Sequence, residues 1–197
     1  MDRGDARPTR HRLIPDDDHP GLLRVVAGRD LACHGVRAGD VGGLVSGEHN
    51  LHDDAWIAED ARVTDSARLT GNALVCGRAV VTHTARVCGH AVVSGRALVA
   101  DAALVRGRAR VSGLARVVGY ALVGDDARIC GRAWVGSDAE VVGEVLVTDD
   151  ARVSGSARLS GQVAMSDQGR VNGQAVLDGR VEVYGSAGAE RQSIRWQ

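Results

Sequence analysis

Ala61-Arg62-Val63-Thr64-Asp65-Ser66, Ala67-Arg68-Leu69-Thr70-Gly71-Asn72 and Ala73-Leu74-Val75-Cys76-Gly77-Arg78 are three consecutive copies of one six-residue unit. The unit reads small, variable, aliphatic, small or polar, Gly or Asp, variable. It runs without a break from Gly43 to Ser186, closing with Val181-Glu182-Val183-Tyr184-Gly185-Ser186 as the twenty-fourth copy. A fixed short period is how a stacked solenoid is written in sequence, because each unit buries its apolar side only against its neighbours. Positions one and three are two residues apart, so they face the same way in an extended strand and leave position two outside. Position five, Gly or Asp almost throughout, tolerates the positive φ of a tight corner. Each hexad is a short strand plus a corner, and three hexads close a triangular coil of eighteen residues. The expectation is an all-β, single-stranded parallel β-helix of about eight coils, roughly 38 Å long at the usual strand spacing. Its interior of Ala and Val leaves no room for a ligand, so any binding site must lie outside, between subunits or at an end.

The flanks complete the organisation. Residues 1–20 read as a polar, flexible arm. Residues 21–42 read as an N-terminal cap, with the alternating Leu22-Leu23-Arg24-Val25-Val26 followed by the turn-rich Ala38-Gly39-Asp40-Val41-Gly42. Residues 187–197 form a short tail in which Ile194 and Trp196 can fold over the last coil. Caps matter because a stacked sheet exposes unpaired backbone groups at both ends.

At 197 residues the chain is one domain, and its net charge of −1 implies no polyelectrolyte partner. Every basic side chain counted at pH 7 is Arg, and Phe is absent. No stretch reaches the length of a membrane span, and the polar N-terminus lacks an apolar signal core, so a cytoplasmic protein is expected. Cys76, Cys88 and Cys130 all hold position four. Cys76 and Cys130 share a corner but stand three coils apart, about 14 Å, which is too far for a disulfide. Free thiols suit a reducing compartment.

The hexads resemble the left-handed parallel β-helix of the hexapeptide-repeat (LpxA-like) superfamily. The approach to the repeat narrows the likeness. Val36-Arg37-Ala38-Gly39-Asp40-Val41-Gly42-Gly43-Leu44-Val45, then Glu48, Asn50-Leu51 and Ala55-Trp56-Ile57, is similar to the start of YdcK-like proteins, with Leu44 where those carry an aromatic. The resemblance covers about residues 22–186. It implies the left hand of the coil, side-by-side trimers and, for the enzymes of the superfamily, acyl transfer with a catalytic His near a subunit interface. Those enzymes often interrupt a coil with an external loop and carry a C-terminal helix or extension. Neither is expected here.

His83 takes position five of Ala79-Val80-Val81-Thr82-His83-Thr84, and Asp101 holds the same position one coil on, where it can orient an imidazole. The bland alternative is a solvated corner histidine. His49 and His52 fall at different hexad positions of the least regular unit, so no metal site is expected. Arg78, Arg96 and Arg132 share position six of one corner, with Arg110 and Arg128 beside them. This is a candidate anion-binding ridge. With no aromatic residue interleaving these arginines, nucleic acid is disfavoured. Leu74 and Val92, Val80 and Leu98, and Leu104 and Leu122 are outward apolar pairs, one on each face. They are candidate interface residues, because contiguous exposed apolar surface is uncommon on a monomer. Trp56 and Trp134 also fall at the outward position. Ranks of outward Thr and a strong negative charge are missing, which argues against an ice-binding face or a DNA mimic.

The leading expectation is a rigid cytoplasmic scaffold that associates with itself and needs no cofactor. The alternative is a hexapeptide-class acyltransferase using acyl-CoA at an external site near His83.

Overall fold

The computed structural model describes residues 10–185 together with the strands 188–189 and 193–195. The hexads form a parallel β-solenoid. Strands of the repeat pair with the strands eighteen residues away, as Val92 does with Leu74 on one side and Arg110 on the other. Three sheets result. Among the described residues the first face has eleven strands, because two strands of the N-terminal cap and the strand 188–189 extend it, and the second and third faces have eight each. The first face holds the hexads beginning at Gly43, the second those beginning at His49, and the third those beginning at Ala55.

Inside, positions one and three behave as the pattern requires. Ala61, Val63, Ala67, Leu69, Ala73 and Val75 are fully buried, and the same holds coil after coil. Axial backbone bonds join the coils, such as Arg62 N–H to the Ala79 carbonyl at 2.9 Å and Thr64 N–H to the Val81 carbonyl at 2.9 Å. These bonds satisfy the backbone polar groups that burial would otherwise leave costly.

After the first hexad, whose Gly47 is extended, position five has positive φ at both its Gly and its non-Gly residues, for example +69° at Gly95, +55° at Asp65 and +58° at His83. The aspartates do more than tolerate this geometry. Asp53, Asp65, Asp101, Asp125, Asp149 and Asp167 each accept the N–H of the next coil's position five, at 2.9 to 3.3 Å. Asp is therefore a corner residue that also links its coil to the next.

The cap begins earlier than residue 21. Strand β1 (His11–Pro15) pairs antiparallel with β2 (Leu23–Ala27), and β2 pairs antiparallel with β3 (Val41–Val45), the first strand of the solenoid. The described part of the expected flexible arm is therefore structured. Asp16 accepts a hydrogen bond from Arg24 at 2.7 Å and one from the Nδ1 of His19 at 2.8 Å, and His19 Nε2 accepts from Arg62 at 2.8 Å. These bonds, His19 first and Arg24 second, hold the Asp16 carboxyl below the usual carboxylate range. Val25 and Leu31, at most 1 % exposed, plug the open end of the interior.

The same cap corrects the reading of Trp56. The indole is at the outward position but is only 3 % exposed, stacked under His11 with ring centroids 6.2 Å apart. Asn50 is the other departure. A short 3-10 turn over Glu48–Asn50 swings its side chain inward. Its amide donates to the carbonyls of Asp65 (3.0 Å) and Ala67 (2.8 Å) and accepts from Ser46 N–H (2.9 Å) and Gly47 N–H (3.0 Å). All four of its hydrogen-bonding positions are filled. At the other end, the strands 188–189 and 193–195 pair in parallel with the last rungs, Leu177 opposite Ile194. The tail thus continues the stack at backbone level. Trp196 lies outside the described residues.

Candidate functional site

His83 and Asp101 come together as their spacing requires. His83 Nδ1 stands 3.6 Å from the Asp101 carboxylate on the corner between the first and second faces. Both side chains are more than half exposed. Nδ1 also accepts the Asp101 backbone N–H at 3.4 Å. His83 therefore does what the corner aspartates do, capping the next coil. On its other side, Asp65 takes the His83 N–H at 3.1 Å and the Thr82 hydroxyl at 2.5 Å. The Thr82 hydroxyl and then the His83 N–H pull the Asp65 carboxyl below the usual range. His49 and His52 each donate from Nε2 to a backbone carbonyl, of Asp65 (2.6 Å) and His49 (3.0 Å), and do not share a centre.

The five arginines of the expected anion ridge do not converge. Arg78 lies 3.7 Å from Asp60, and Arg132 makes a 2.7 Å bond to Asp150. Leu114 takes the rung between Arg96 and Arg132. Arg110 and Arg128 pair with each other on the third face, away from the first. Of the five, only Arg132 lines the groove that runs along the lower first face.

That groove holds about 640 Å³. Its floor is a ladder in register: Arg116, Trp134, Arg152, Arg170. One wall is the neighbouring corner, with Leu114, Arg132 and Asp150; Ser154 and Asn172 stand on the other side. The indole of Trp134 lies down against Gly136, where an added Cβ would run into Cζ2 and Cη2 of the ring. Gly136 does not have positive φ, so its backbone does not call for glycine. What calls for it is the ring. Arg132 draws the Asp150 carboxyl below the usual range, chiefly through their hydrogen bond. Among the described residues, no carboxylate lies within 4.0 Å of Arg116, Arg152 or Arg170. An aromatic residue does interleave arginines here, but a set other than the expected ridge: Arg116, Arg152 and Arg170. The signal is nonetheless present in the chain: Arg116, Trp134, Arg152 and Arg170 are eighteen residues apart at position two.

The apolar pairs sit where the pattern puts them. Leu74–Val92, Val80–Leu98 and Leu104–Leu122 are cross-rung neighbours on the third, first and second faces, all half-buried. Leu98 and Leu104 belong to one coil and flank the corner that carries Asp101. Cys33, Cys76, Cys88 and Cys130 are free, and burial raises the Cys76 thiol above its ordinary pKa. No described helix is long and apolar enough to cross a membrane.

No family model matches the chain, and no curated protein matches it.

Proposed function

We propose that the chain is a rigid, non-catalytic β-solenoid scaffold of the hexapeptide-repeat (LpxA-like), YdcK-like kind, which associates side by side with copies of itself in the cytoplasm. The observation that carries this reading is the placement of Val80–Leu98 and Leu104–Leu122 on two faces that meet at one corner. A closed ring needs two different patches on each copy, one to meet the next copy and one to meet the last. These pairs supply them at nearly the same height on the rod, and a trimer is the ring that the resemblance implies. Four free thiols suit a reducing compartment. The interior admits no acyl donor, since its lining side chains are fully buried against one another.

A second reading, a hexapeptide-class acyltransferase, has one observation in its favour. His83 and Asp101 stand on the corner between the two apolar pairs, so a neighbouring copy would cover them. Calorimetry with coenzyme A, and acyl transfer from acetyl-CoA to a panel of amines and sugars, separates the two. The scaffold predicts no saturable binding and no transfer above background. Turnover that collapses in His83→Ala overturns the scaffold, since a general base contributes about a hundredfold or more.

A further inference from the structure

The groove on the lower first face has features that neither the solenoid nor self-association requires. A glycine makes room for an indole on an outer surface, although large outward side chains are otherwise free to stand in solvent. The rungs before and after that indole are guanidiniums, Arg116 and Arg152, and a further one, Arg170, follows. Asp150 is hydrogen-bonded to Arg132 and also feels the charge of Arg152, but among the described residues no carboxylate lies within 4.0 Å of the three arginines in line. The line is about 14 Å long at the spacing of stacked strands. Guanidinium forks match phosphate oxygens, and an aromatic ring held against a surface offers a face to a planar base.

We propose that this groove binds single-stranded nucleic acid laid along the rod, with one base stacked on Trp134 and the flanking phosphates held by Arg116, Arg152 and Arg170. The order of the ladder selects this ligand. A bare polyanion needs cations alone and gains nothing from a seated indole, whereas a strand alternates bases with phosphates. The net charge of −1 gives no general attraction to a polyanion, so binding depends on the groove itself and is short rather than a coating of the whole rod. Stacking and phosphate contact do not read base identity, so the site is sequence-tolerant.

The test is fluorescence anisotropy with labelled oligo-dT and oligo-rU on the full chain, across a salt series. Three phosphate contacts predict a slope of log K against log salt of about −2. Trp134→Ala is expected to weaken binding roughly 5- to 100-fold, with Trp134→Phe retaining most of it. Arg152→Gln is expected to make the slope shallower by about 0.7, while Arg128→Gln, on the third face, changes neither affinity nor slope. Thermal melts confirm that each variant is folded, and Arg116→Gln repeats the slope test should Trp134→Ala be destabilised. Three results overturn the proposal: no oligonucleotide binding at low salt, capture of a sulfated polysaccharide with none of oligonucleotide, or binding indifferent to both Trp134 and Arg152. Light scattering on the same samples keeps this outcome separate from self-association, which rests on other residues.

Discussion

In its third and fourth coils the first face turns Val80 and Leu98 outward; in its fifth to eighth it turns Arg116, Trp134, Arg152 and Arg170 outward. Beneath both stretches the inward rungs are the same, Val81 and Val99 above, Val117, Val135, Val153 and Val171 below, all fully buried. The axial hydrogen bonds also match, 2.9 Å from Val80 N–H to Ala97 and 2.9 Å from Arg116 N–H to Ala133. Stability in this molecule belongs to positions one, three and five. Position two turns outward and differs between the two stretches. The two sets are separable because a solenoid coil contacts only its neighbours.

If that separation holds, an inward change should cost the same in both stretches. Val81→Asp and Val117→Asp each bury an unpaired charge and should lower stability by several kcal/mol, seen as similar losses in urea midpoint. A loss in one stretch alone would break the comparison. Corner changes come next. Gly95→Val and Gly155→Val force a β-branched residue into positive φ, at a cost of about 1–3 kcal/mol. Gly155 should suffer more, because an added Cβ there meets the Gly173 carbonyl at 2.6 Å, against 3.0 Å to the Gly113 nitrogen at Gly95.

Outward changes should be smaller still. Arg86→Asp, on an exposed rung of the second face, should shift stability by less than about 0.5 kcal/mol in urea titration. Arg62→Asp has the same hexad position but should cost more, since Arg62 donates to His19 in the cap. The smallest effect concerns pH. The Asp65 carboxyl lies below its ordinary value, so its contribution is complete above the unfolded carboxylate pKa of about 4 and is lost as pH falls through the lower folded value. Asp65→Asn should therefore flatten part of the acid-side decline in urea midpoint and leave the alkaline side unchanged.

The fold is legible in the sequence because the repeat encodes one local geometry twenty-four times, and each copy corroborates the next. The His83–Asp101 approach and the apolar pairs are legible for the same reason, as eighteen-residue spacings. Three things are not. Trp56 has an outward phase, but the hairpin that covers it lies outside the repeat. Asn50 is turned inward by a local 3-10 turn that periodicity does not encode. The arginine groove is hidden because arginines also gather at position six, where they suggest a ridge, whereas the floor of the groove is built from position two, with Trp134 in line. Gly136 is the pointer to it: a glycine at position four, where no corner needs one, beside a Trp.

The central claim is that the upper outward rungs join copies of the chain. Multi-angle light scattering of the wild type and of Leu98→Arg with Leu104→Arg tests it most directly. The expected result is a wild-type mass that is a multiple of 20.6 kDa and a double variant at or near 20.6 kDa, with its thermal melt still cooperative. A wild type that stays at 20.6 kDa up to high concentration would contradict it.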